Sequence, residues 1–473
     1  MDVALLYKAG VFTEDQLFHN LFSPPSLLNA FNEKHSRSQA KGLDRATGYQ
    51  YRANADADLT VVSRKCLDGT FRFTPYLEVL KPKGRGKAPR EISVPTIRDR
   101  TVLTQLHRFL SIMFPECVPK SIAHTYVREL SGTLTSAADN AWVCGLDIRN
   151  FYDNIRSWRL NNILSSRIKG EPQLRLIRLA LTTPTVPKGT LRSKRQDFRR
   201  DRGVPQGLAI SNLLAAIYLK AVDNFMLSKA VNYQRYVDDV VMVGSQAALE
   251  EAMSMLANRL RARGLSLHPK TSSKTHLAPI ASPFEYLGYR FLFPKIGVRD
   301  STVERFLQSV AAKFSDYKHN KAVRLARHAY LTDGILKNAF LMELNERITG
   351  AVSGGRRYGW IAYFSQINDQ EILFRIDNII RGLFSRLAEF QFTAPKDLKR
   401  IARAHWEIQY NLLGGYIRNY DIITTIEQKI EFLVSRGRMG KGEIITENDI
   451  NERYEAYLAR QLADMHADEA SMY

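Results

Sequence analysis

Three aspartates stand where apolar strands would end. Asp147 follows Val143-Cys144-Gly145-Leu146, and Asp238 and Asp239 are adjacent in the run from Val237 to Val243. A carboxylate in such a place is costly to bury unless an arginine, a hydrogen-bond network or a metal ion compensates it. Hard oxygen ligands suit magnesium, and two bridging carboxylates can hold a pair of ions about 3.5–4 Å apart for phosphoryl transfer. Period-two alternation puts Tyr236 and Asp238 on one face and Val237 and Asp239 on the other, unless the turn begins at the aspartates. Asp238 is therefore the stronger ligand and Asp239 the weaker. The competing reading is a simple turn, which aspartate favours for its own backbone bonding.

The elements that would position these residues follow from punctuation and period. Residues 1–70 read as polar helices and loops broken at Ser23-Pro24-Pro25-Ser26. A β-prone run from Phe71 to Leu80, the basic segment Lys81 to Lys87 and the strand-like Arg90 to Pro95 form a hairpin with a cationic tip. Apolar residues at helical spacing from Val102 to Met113 predict a buried helix, and Trp142 to Ile148 reads as a strand. Helical patterns cover roughly 157–181 and 209–229, separated by a connector carrying Arg192, Lys194, Arg195, Arg199, Arg200 and Arg202. A hairpin at Tyr233 to Gly244, a helix at Leu249 to Arg263 and strands at 265–267 and 286–293 complete an antiparallel α+β unit. Strand signals mostly vanish after about residue 300.

The 473 residues allow two or three compact units, and a hydrophobic fraction of 45% is normal for a globular chain. A formal charge of +20 points to a phosphate backbone as partner rather than a small anionic metabolite. Three separated cysteines, Cys66, Cys117 and Cys144, exclude a CxxC zinc unit and a dense disulfide framework, which implies a reducing, cytoplasmic setting. No apolar run approaches the roughly 18 residues that span a bilayer, and the amino terminus lacks a signal pattern, so membrane and secreted readings are set aside.

Five segments resemble, in the expected order, the successive polymerase motifs of reverse transcriptases. They are Asp147-Ile148-Arg149-Asn150-Phe151-Tyr152-Asp153, Gly203-Val204-Pro205-Gln206-Gly207 with its continuation to Asn212, Tyr236-Val237-Asp238-Asp239, Gly264 to Thr271, and Phe284 to Tyr289. Arg90 to Arg100 is similar to the fingers segment of bacterial and group II intron enzymes, and Tyr358-Gly359-Trp360-Ile361-Ala362-Tyr363-Phe364 is a weaker likeness to the group II intron thumb. Nothing familiar follows about residue 385. The zinc endonuclease of mobile introns, ribonuclease H, protease and retron hallmark segments are not evident.

The resemblance implies an α+β right-hand polymerase: an N-terminal helical extension over 1–70, fingers and an antiparallel palm flanked by helices over 71–295, a helical thumb over 296–385 and a helical extension over 386–473. It implies RNA-directed DNA synthesis with two magnesium ions held by Asp147, Ile148, Asp238 and Asp239. Arg90, Lys83, Tyr152, Gln206 and Lys270 would contact the nucleotide, with Tyr152 as the sugar gate, Lys270 near the pyrophosphate, and Lys81 or Lys87 able to replace Lys83. Tyr286, Leu287 and Gly288 would form the primer grip. Expected partners are an RNA template, in particular a dedicated non-coding RNA of a phage-defence enzyme, the DNA product and deoxynucleoside triphosphates; a homo-oligomer or a partner protein is left open. The rival readings are a maturase-like RNA-binding protein and template-independent or protein-primed synthesis by the same centre.

Overall fold

The computed structural model describes residues 3–82, 88–119 and 121–470. Two compact units emerge: residues 1–122 with 137–279, and residues 123–136 with 280–473.

The first unit opens with five helices between Val3 and Leu67, in keeping with the polar, punctuated reading of residues 1–70. Tyr76–Lys81 (β1) and Arg90–Val94 (β2) pair antiparallel. Phe71 and Phe73 are buried but precede the strand. The hairpin tip, with Lys83 and Lys87, lies outside the described residues.

The central sheet uses Trp142–Asp147 (β3), while Thr185–Val186 (β4) joins β1 in parallel. Asn232–Tyr236 (β5) and Asp239–Gly244 (β6) form the expected hairpin, and His276–Pro279 (β7) closes the order β5-β6-β3-β7, antiparallel throughout. Val143, Cys144 and Leu146 on β3 and Val240 to Val243 on β6 are buried, so both faces of the middle strands are covered. Each such side chain contributes about 1.5–3 kcal/mol on leaving water. The helix Gln246–Ala262 packs on β3 and β6. The helix Ser211–Leu227, apolar nearly all round, buries Leu213, Leu214, Ile217 and Tyr218. This is the antiparallel, helix-flanked sheet expected of the α+β unit.

The second unit contains Phe284–Tyr286 (β8), Tyr289–Leu292 (β9) and Lys295–Val298 (β10) as an antiparallel meander. The long helices Asp300–Arg327, Asp333–Thr349, Gln370–Leu383 and Glu447–Ala470 dominate the remainder. A small sheet accompanies the expected helices: Ala351–Ser353 (β11) pairs with Arg356–Tyr358 (β12) and Arg418–Asn419 (β13). Strands of two or three residues carry no alternation to read, and Gly354 and Gly355 take the left-handed turn between two of them. Thr446 caps the last long helix through its hydroxyl oxygen, which accepts from Asp449 N at 3.2 Å. Among the described residues no helix is long and apolar enough to cross a membrane.

Candidate active site

Antiparallel pairing of β3 with β6 sets the geometry of the carboxylates. Asp147 ends β3 opposite Asp239, and the two-residue turn between β5 and β6 is Val237-Asp238. The turn therefore begins one residue before the aspartates, which ends strict alternation at Tyr236. Asp238 is held by its backbone carbonyl, which accepts from Ile148 N at 3.0 Å. Burial first, and then the negative charge of Asp147, raise the Asp238 carboxyl above its ordinary range.

Val237 has φ +56°. A β-branched residue seldom enters that left-handed region, and the strain costs roughly 1–3 kcal/mol. Arg235 restrains the turn, donating from Nη1 to the Val237 carbonyl at 2.7 Å while its Nε donates to Asp223 Oδ1 at 2.8 Å. Asp223 lies on the helix Ser211–Leu227. The strained turn is thus tied to a buried helix through one guanidinium.

Asp147 does not stand alone. Lys274 Nζ donates to its Oδ2 at 2.6 Å, and His268 Nε2 lies 3.1 Å from Oδ1. Burial is the largest influence on the His268 ring and lowers its pKa, with Lys274 acting in the same direction against the attraction of Asp147. Lys270 is exposed and is not joined to the carboxylates. Both lysines precede a threonine, but Lys274-Thr275 leads directly into β7, whose pairing with β3 carries it to the end of Asp147's strand. A lysine immediately before a strand was the signal available in the sequence.

Among the described residues no group of three His, Cys, Asp or Glu side chains is gathered as a ready ion site. The structure brings Asp147 and Asp238 into electrostatic reach and sets Asp239 opposite Asp147 without closing a three-carboxylate cage. The donor set fits a divalent cation: two hard carboxylates repel each other, and an ammonium group already stands against one of them. Ile148 is buried beside them.

Of the residues expected on the nucleotide side, Tyr152, Arg90 and Gln206 lie around the same place, whereas Lys270 does not join them and Lys83 lies outside the described residues. Tyr152 lies in the short helix Phe151–Asn154, and its hydroxyl donates to Asn212 Oδ1 at 2.6 Å. Burial, and then the charge of Asp238, raise its phenol pKa well above normal. Arg90 on β2 acts electrostatically on both Tyr152 and Asp238. Ser93 N donates to the Gln206 carbonyl at 2.7 Å, bonding β2 to the Pro205-Gln206-Gly207 turn. At Gly207, φ is +103° and an added Cβ would lie 2.8 Å from Ile92 Cγ2 and 2.9 Å from the Ser93 carbonyl oxygen, so only glycine allows this approach.

A cavity of about 660 Å³ in the same unit is lined by Lys41, Arg45, Lys188, Arg192 and Arg195 around Leu43, Leu77 and Leu191, with no carboxylate in its wall. Arg200 is different, being paired with Glu91 and lying 3.8 Å from Asp153. In the second unit, Leu287 and Gly288 form the β8–β9 turn at φ +48° and +80°, with Tyr286 buried at the end of β8. The cations of the helix Asp300–Arg327 are partly paired. Lys313 faces Glu343, Lys321 pairs with Asp333 and Glu389, and Arg324 pairs with Asp316.

Residues 80–291 match the family described as reverse transcriptase (RNA-dependent DNA polymerase). The Escherichia coli protein YkfC is 22% identical over 300 residues, covering 53% of this chain and 75% of that protein. The group II intron-encoded protein LtrA of Lactococcus lactis is 24% identical over 237 residues, covering 48% of this chain but 37% of its own length. Apo telomerase from Candida tropicalis is similar at 12% identity and a TM-score of 0.39, over 81% of this chain and 69% of that one.

Proposed function

On the premise that the chain is a reverse transcriptase of the group II intron-like type, an RNA-directed DNA polymerase, we propose that Asp147 and Asp238 are its catalytic carboxylates. Asp239 and the Ile148 carbonyl complete the magnesium-binding group, and Lys274 takes the leaving-group role that the sequence offered to Lys270. The observation that carries this reading is the half-buried Asp147–Asp238 pair at the end of one antiparallel ladder, with Lys274 against it. Two magnesium ions, when bound, would activate the primer 3′-hydroxyl and neutralise the departing pyrophosphate.

The chain's own residues supply positioning and selectivity. Arg90, with Lys83 or its neighbours, binds triphosphate oxygens; a guanidinium can take two at once. Gln206 and Gly207 form the nucleotide-facing turn against β2, and the close fit at Gly207 supports that role. Tyr152, fixed by Asn212, stands under the sugar and excludes a 2′-hydroxyl. Lys274 stabilises negative charge on pyrophosphate and can donate its proton. Tyr286, Leu287 and Gly288 serve as the primer grip, while the five-cation cavity takes template phosphates. The template is proposed to be a dedicated non-coding RNA in a cytoplasmic phage-defence role.

Magnesium-dependent extension of a DNA primer on RNA tests the chemistry. The Tyr152→Ala variant should incorporate ribonucleotides about 10-fold more readily than the parent, and unchanged selectivity in an active variant would reject the sugar-gate assignment. Sequencing the DNA made with co-purifying RNA tests the template. Product matching no RNA would overturn templated synthesis, and DNA covalently attached to protein would establish protein priming.

A further inference from the structure

The short helix Ile401–Tyr410 lies past the segment matched by the family and carries an unusual outer face. Its inner face is firmly held. Ile401, Ala404, His405 and Ile408 are buried, Asp377 accepts from Ile401 N and Ala402 N at 2.6 and 3.2 Å, and Gln409 Nε2 donates to the Ser365 carbonyl at 2.7 Å. The outer side chains are therefore displayed on a fixed support.

Arg403, Trp406 and Tyr410 form a ladder of planar groups along that outer face. The Arg403 guanidinium lies 4.5 Å from the Trp406 ring centroid, and the Trp406 and Tyr410 rings are 5.6 Å apart. Trp406 is 43% exposed, Tyr410 71%, and the following Leu413 83%. Spacing of i, i+3 and i+7 keeps the three ladder residues on one stripe. Exposed Lys396 and Arg400 lie just before the helix, whereas the one carboxylate in it, Glu407, is buried and held by Arg403.

We propose that this ladder binds an unpaired segment of the RNA that the enzyme copies, stacking bases on Trp406 and Tyr410, with the Arg403 guanidinium extending the stack, while Arg400 and Lys396 meet its phosphates. The proposal rests on the RNA-templated reading above. Aromatic rings interleaved with arginine suit single strands because every base has a stacking face and the backbone is anionic. A second copy fits poorly, since a symmetric contact through this face would oppose the same cations to one another.

The test uses the full chain with a labelled single-stranded oligoadenylate RNA, the polymerase site being filled by a saturating blunt RNA–DNA hybrid. Ultraviolet crosslinking should place adducts on Trp406 or Tyr410. The exposed-site variant Trp406→Ala/Tyr410→Ala should bind the oligonucleotide about 10-fold more weakly, and Trp406→Phe/Tyr410→Phe should retain binding. Extension of a short primed template should stay within about twofold in both variants, so that failure of the ladder is distinguishable from failure of the polymerase. Adducts found only elsewhere, unchanged affinity in the alanine variant, or a dimer that the alanine variant abolishes would each overturn the assignment.

Discussion

The proposed catalytic centre and the carboxyl-terminal unit both draw carboxylates away from water, half-buried in the first and buried in the second, and they treat them in opposite ways. Asp238 stands near the like charge of Asp147, with an ammonium on one member of the pair. Glu346, in the second unit, has a full set of partners: Arg436 pairs with one oxygen and the Tyr420 hydroxyl donates to the other at 2.9 Å. Glu346 and Arg436 are only 5% and 4% exposed. A buried charge matched inside the protein holds elements in place, whereas one left in excess is available to an external cation. Local charge balance thus separates a structural carboxylate from one proposed to hold a metal ion.

Removing one carboxylate from each region gives the largest contrast. Asp147→Asn should reduce primer extension by at least about 1,000-fold with little change in thermal midpoint, because relief of its repulsion with Asp238 offsets the loss of its contact with the half-exposed Lys274. Glu346→Gln should cost about 3–5 kcal/mol in denaturant unfolding by leaving Arg436 buried without its counter-charge. Similar stability losses in both would erase the distinction.

The lysines sharpen it further. Lys274→Ala should lower extension about 10- to 100-fold, whereas Lys270→Ala should change it by less than about twofold in the same assay. Loss confined to Lys270→Ala would return the leaving-group role to that residue. Arg235→Ala should slow extension several-fold by releasing the strained Val237 turn, and adding Val237→Gly should restore part of the rate. A failure of that rescue would show that Arg235 acts by another route.

The smallest effect concerns a neutral buried group. His35 accepts or donates across 2.8 Å to Thr104 Oγ1, and burial, followed by the charge of Arg100, depresses its pKa to about 4. Its neutral ring favours the folded state above the unfolded pKa of about 6.5, and that stability is lost as pH falls toward about 4. Unfolding midpoints measured over this window should fall with pH, and His35→Gln should flatten the slope.

Legibility differed sharply along the chain. The run into Asp147, the Tyr-Val-Asp-Asp hairpin and the Pro-Gln-Gly turn were readable because catalysis and close backbone approach leave few residue types available. Gly207 illustrates this: its positive φ and its contact with β2 exclude every side chain. Lys274 was not singled out because two Lys-Thr pairs lie four residues apart, and only the β3–β7 pairing shows which one stands beside Asp147. Arg235 and Asp223 were invisible for a related reason, since a turn clamp depends on a helix twelve residues upstream. Lys313 and Lys321 on Asp300–Arg327 meet carboxylates from elsewhere in that unit, pairings that the helix's own sequence does not carry.

The sequence by itself determined the order of motifs, carried the resemblance to reverse transcriptases and singled out the three aspartates, because those rest on local residue types and spacing. Tertiary structure alone decided that the turn is Val237-Asp238, that Asp147 meets Lys274 and His268, and that Arg403, Trp406 and Tyr410 stack in the open. Each of these depends on strand register, on contacts between distant segments or on which helix face is buried, and such relations arise only when the chain has folded.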